Sequence, residues 1–176
     1  YREKKQYQDA ISLYQKGAEI YSVQMKTAVK ADEKKASADA MESALLATIE
    51  TGELSKDQGL LVSAYDSYLA LSVDRKREIE VLYQKAHITY EKGDHGVAAE
   101  QMRSIAFMTQ AKSPDALKVR TQAADLALDA LVLLKDDEKI EKWAKDFAQL
   151  FPKEAADYAK VARKSVLTQS TAFAAG

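Results

Sequence analysis

Apolar residues recur three and four positions apart along most of this chain, the spacing that gives a helix one buried face. In residues 7–21 they are Tyr7, Ala10, Ile11, Tyr14, Ala18 and Tyr21. In residues 40–50 they are Met41, Ala44, Leu45, Thr48 and Ile49, and the pattern predicts a helix that stops at Gly52, a residue suited to the left-handed position past a helix end. Residues 22–37 between them are charged and poor in large apolar side chains, and fit a solvated helical extension and a turn equally well. Ser55 and Gln58 have the spacing of a capping box, opening a helix to about Leu71 that shows Leu61, Tyr65 and Tyr68 on one face.

Further on, Asp74 is expected to cap a helix carrying Ile79, Leu82, Ala86 and Tyr90, which Gly93 interrupts. A shorter helix follows with Val97, Ala98, Met102 and Ile105. Ser113 and Pro114 open the next, proline being harmless in a first turn, and it runs through "LALDALVLL". Asp136 and Asp137 mark a break, "EKIEKWAKDFAQLF" follows, and Pro152 ends it. A last helix is expected over about 153–167, then a small, polar tail over 168–176 that frays. Short connections predict antiparallel neighbours. With six glycines, two prolines and no alternating β-branched runs, the expected fold class is all-α, in one domain over residues 1–167.

Composition removes whole classes of chemistry. Cysteine is absent, so disulfides, thiolate metal sites and cysteine nucleophiles are excluded. The 26 basic and 27 acidic residues are interspersed and leave a net charge of −1, which gives nucleic acid no basic stripe to bind. No run reaches the roughly 20 apolar residues of a membrane helix, so no membrane insertion is expected. The isolated glycines make no phosphate cradle, and no catalytic constellation can be assembled; the chain reads as no enzyme and as needing no cofactor. His87 and His95 lie eight apart but across Gly93 and Asp94, so they are expected to diverge and to hold no metal. Beginning inside a helical pattern at Tyr1, the chain reads as a fragment of a longer protein. Soluble is the expected state, cytoplasmic or periplasmic being left open.

One pattern returns along the chain. Ala10, Tyr14 and Gly17 in "KKQYQDAISLYQKG" are matched by Ala98, Met102 and Ile105, by Ile140, Ala144, Phe147 and Pro152, and more loosely by Leu61, Tyr65 and Tyr68. Ala86 supplies a small residue on the helix before "EKGD", and Tyr1 falls where a first helix would carry its tyrosine. This resembles the tetratricopeptide repeat, whose unit is a helical hairpin with small residues facing bulky ones. The copies here are spaced 51, 37 and 42 residues apart, so the units are irregular beside the family period of about 34.

The resemblance implies antiparallel hairpins stacked as a short right-handed superhelix, with a concave surface lined by first helices. By its register Glu80, Tyr83, Gln84 and His87 lie on that surface, joined by Gln122, Asp125 and Asp129 of the following first helix. The implied function is non-catalytic binding of another protein or peptide, and the carboxylates favour a partner of basic or amide character. No asparagine occurs in the chain, so the asparagine–lysine clamp that some members close on a terminal carboxylate is missing. The alternatives are self-assembly as a homodimer through exposed apolar faces, or an accessory helical domain of a larger envelope or enzyme protein, with "YDSYLALSVD" hinting at an envelope protein.

Overall fold

A computed structural model describes the backbone of residues 2–174 and the side chains of residues 3–167. Tyr1 lies outside that range. Among the described residues there are eight helices and no strands: α1 (Arg2–Thr27), α2 (Ala31–Ser55), α3 (Gln58–Leu71), α4 (Glu78–Glu91), α5 (His95–Ala106), α6 (Pro114–Leu134), α7 (Asp137–Leu150) and α8 (Ala155–Ala174). The fold is all-α. The chain separates into two compact units, 1–81 and 82–176, with the division falling inside α4.

In the first unit α1, α2 and α3 pack on one another. Residues 22–37 resolve into the end of α1, a link at 28–30 and the start of α2. Charge suits that break: Lys26 is in the last turn of α1, and Asp32 and Glu33 are in the first turn of α2, each favourable to its helix dipole. Lys4 near the start of α1 pairs with Asp57 just past α2, so these helices run antiparallel. Glu42 of α2 does the same for α3: its carboxylate accepts from Ser72 Oγ at 3.0 Å and from the Val73 amide at 2.7 Å. Between them lie Ile11, Ala18, Met41, Leu45, Thr48, Ile49, Ala64, Tyr65 and Tyr68, all buried. Burial pushes the Tyr65 hydroxyl up to about 12.

Three expectations need correction here. Gly52 does not end α2. It is buried inside the helix, where a Cβ would come within 3.1 Å of the Leu61 backbone, so its value is close approach to α3. The left-handed residue at the end is Lys56, at φ 53°. Ser55 is the last residue of α2 rather than the cap of α3; Asp57 caps α3, accepting from the Gly59 and Leu60 amides. Tyr14, expected on the buried stripe of residues 7–21, remains 39% exposed.

The second unit is serial. Consecutive helices pair, α5 with α6, α6 with α7 and α7 with α8. Asp94, Ser113 and Asp136 cap α5, α6 and α7, because each short side chain accepts from an otherwise unpaired first-turn amide. Gly93, at φ +84°, turns the chain between α4 and α5. Helix α6 buries Ala116, Ala123, Ala124, Ala127 and Ala130, small residues that let both neighbouring helices come close. Met102, Trp143, Phe147 and Tyr158 supply the bulk.

Cross-links set the direction. Glu100 pairs with Lys139 and Arg103 with Asp146, so α5 and α7 lie side by side and parallel. Ser165 of α8 donates to the Asp137 carbonyl at 2.6 Å, which makes α7 and α8 antiparallel. Helix α8 continues to Ala174, past the expected end near 167; the side chains of 168–174, and with them the expected fraying, lie outside the described residues.

Candidate functional site

The polar face expected on α4 and α6 takes its geometry from α6, whose alanines point inward while Gln122, Asp125 and Asp129 stay exposed on successive turns. Tyr83 on α4 is half-buried. Loss of water raises its hydroxyl above the usual tyrosine value, and the negative charge of Asp125 raises it further. These two residues, far apart in sequence, are therefore electrostatic neighbours across two helices.

Asp125 has a third partner. The buried Tyr158 on α8 donates its hydroxyl hydrogen to Asp125 Oδ1 at 2.9 Å. Although Asp125 is exposed as a residue, its carboxyl is shielded enough that desolvation raises its pKa; the Tyr158 bond opposes this, and the charges of Asp129 and Glu154 reinforce it. The result is a group of two phenols and three carboxylates drawn from α4, α6, α8 and the turn before α8.

The remaining expected residues divide. The His87 ring centroid lies 6.2 Å from that of Tyr83, the planes tilted by 34°, and His87 Nδ1 lies 3.5 Å from Glu91. Tyr90 stands between the two histidines, with ring centroids 6.4 Å from His87 and 5.0 Å from His95. Gln84 is exposed beside Tyr83. Glu80 belongs to the first unit and is taken up by Arg77, whose guanidinium donates to both carboxylate oxygens at 3.0 and 2.8 Å and holds the Glu80 carboxyl below its usual range.

Glu154 and Tyr158 went unnoticed in sequence. Tyr158 could have been found, because with Ala162 and Ser165 it falls at the three- and four-residue spacing of a buried stripe. Glu154 lies in the α7–α8 turn, where no periodicity marks it. Among the described residues, no group of three or more His, Asp or Glu side chains could hold a metal ion, and no helix is long and apolar enough to cross a membrane.

No family model matches this chain, and neither a curated protein nor a solved structure does.

Proposed function

We propose that this chain is a non-catalytic interaction module of tetratricopeptide-like hairpins, and that it binds a protein or peptide on the face shared by α4, α6 and α8. The observation that carries the reading is the 2.9 Å Tyr158–Asp125 hydrogen bond, which ties α6 to α8 and holds a partly desolvated carboxyl whose charge is felt at Tyr83 on α4. A half-buried aromatic ring gives contact area at low entropic cost, and partly desolvated carboxylates reward a cationic or amide group that replaces lost water. His87 and Gln84 extend the same face along α4, and Gln122 extends it along α6. Glu80, held by Arg77, contributes little to it.

The test is selection from a displayed random peptide library on the intact chain. Enriched peptides rich in lysine, arginine, asparagine or glutamine are expected, and Tyr83→Ala should weaken them about tenfold, the effect of removing a modest hot spot. A Tyr83→Ala/Gln84→Ala double variant of unchanged helicity that binds as tightly as the parent removes the reading.

A further inference from the structure

A pocket opens between α4 and α5, at the end of their hairpin away from Gly93. Its floor is apolar. Ala86 and Ile105, only 2% and 3% exposed, close it below, and Leu82 and Met108 flank them. The small side chains of Ala86 and Ser104 leave it unfilled, with a volume of about 270 Å³ open on one side. Every residue that lines it belongs to the second unit.

One polar atom in the wall is unsatisfied. Gln101 lines the pocket, and its Oε1 is buried and accepts no hydrogen bond among the described residues. Native proteins pair nearly all such acceptors, so one left over beside a cavity rewards an incoming donor. The last torsion of a glutamine side chain is soft, and a small rotation brings that oxygen to a ligand.

We infer that this pocket binds a neutral aromatic ring system with a single hydrogen-bond donor, an indole, whose N–H is given to Gln101 Oε1. Size sets the class: a dry apolar cavity of about 150 Å³ takes benzene, and this larger one takes two fused rings. Met108 offers a thioether, which makes favourable contacts with aromatic rings. Lys85 on the same wall opposes a cationic ligand, so the donor is a ring N–H rather than a protonated amine. An indole has two sources, a free small molecule or the tryptophan side chain of a partner. The pocket is separate from the peptide face, because Leu82 and Ala86 lie about 100° round α4 from Tyr83 and His87.

Methyl NMR of the full chain, labelled at methionine, tests the assignment with three probes: indole, N-acetyltryptophanamide, and indene, which has the shape of indole without its N–H. Indole should shift the Met108 methyl through its ring current and leave Met41, in the first unit, unmoved. It should bind about fivefold tighter than indene, the gain from one neutral hydrogen bond. Gln101→Leu keeps the wall and removes the acceptor; it should still bind indene but lose the preference for indole. Ser104→Trp, at an exposed position, should fill the mouth with its own ring and abolish binding of both. Tighter binding of N-acetyltryptophanamide than of indole assigns the ring to a partner's side chain, and the reverse order assigns it to a free molecule. Equal shifts at Met41 and Met108, no shift at Met108 with millimolar indole, or indene bound as tightly as indole would each overturn the inference. So would a preference that survives Gln101→Leu, or binding that survives Ser104→Trp.

Discussion

Tyr158 on α8 donates a hydrogen bond of 2.9 Å to Asp125 on α6, and that bond is what restrains a carboxyl which its surroundings push toward the neutral form. Tyr158→Phe should therefore raise the Asp125 pKa further, and Glu154→Gln should lower it; carbon NMR of the Asp125 carboxyl reads both. The bond joins a buried phenol to a charged acceptor, so its loss should cost roughly 1–3 kcal/mol of stability in urea. The pH dependence has a definite sign. Because the folded pKa is raised, the folded state holds more protons than the unfolded one between the ordinary aspartate value of about 3.9 and the folded value, and stability rises as pH falls through that window. Asp125→Asn should remove this rise, gaining on the wild type at neutral pH and losing the gain on acidification.

Asp57 should show the opposite slope. Its Oδ1 accepts from the Gly59 amide at 3.0 Å and from the Leu60 amide at 3.1 Å, and Lys4 pairs with it from α1. Lys4 above all, and then the Leu60 amide, pull its carboxyl below the usual range. The stabilisation is present above the unfolded aspartate pKa and is lost as pH falls through the folded one. The advantage of wild type over Asp57→Ala should thus fade in acid, as urea midpoints taken across pH would show. Asp57→Asn keeps an acceptor but not the charge, so its deficit should largely close at high salt, where an exposed ion pair is screened, while the part of the Asp57→Ala deficit that comes from the lost cap should remain.

Two glycines inside helices separate backbone preference from packing. Alanine is favoured over glycine by up to about 1 kcal/mol in a helix interior. At Gly17 nothing stands within 4 Å of the new methyl, so Gly17→Ala should stabilise by roughly 0.5–1 kcal/mol. At Gly52 the methyl would lie 3.1 Å from Leu61 Cα and 3.2 Å from Leu61 Cδ1. The side-chain atom can move, but the backbone of α3 cannot without shifting its helix. Gly52→Ala should therefore destabilise by about 1–3 kcal/mol. Equal gains at both sites in thermal melts would show that α2 and α3 do not pack this closely.

Periodicity and caps explain what was legible in the sequence. Ala98, Met102, Ile105, Ile140, Ala144 and Phe147, all expected in the core by spacing, are buried, and the helix starts marked by Ser113 and Asp136 hold. Gly52 misled because a glycine near the end of an apolar stripe fits both a helix terminus and a helix crossing, and only the position of Leu61 decides. Ser55 misled because three hydrogen-bonding side chains, Ser55, Asp57 and Gln58, compete within four residues; Asp57 captures the α3 amides while Ser55 donates back to the Gly52 carbonyl. At the candidate face, one-helix register placed Asp125 and Asp129 together. It could not show Tyr158 reaching Asp125 from α8, because that depends on which helices become neighbours; the Arg77–Glu80 pair, three residues apart, was within reach of local spacing and was missed.

Arg120 offers the last test, since it is a buried cation that does the work of a helix cap. It lies on α6 at 6% exposure, and its Nε donates to the Ala106 carbonyl at 3.0 Å, one of the last carbonyls of α5, which lack partners within their own helix. A cation there also faces the negative end of the α5 dipole. Its guanidinium lies 5.5 Å from the Phe151 ring, and burial lowers its pKa without a carboxylate bonded to it to offset the lost hydration. Removing the side chain therefore has opposed consequences: it relieves a poorly solvated charge, yet strands a buried carbonyl and leaves a cavity. Arg120→Met keeps most of the volume and should cost only about 1–2 kcal/mol, the penalty of the unpaired carbonyl less the relief of the charge. Arg120→Ala adds the cavity and should cost roughly 2–4 kcal/mol. Amide exchange should quicken at the end of α5 in both variants. Equal stability losses in urea for the two would mean that the contact with the carbonyl, rather than packing against Phe151, accounts for the whole effect.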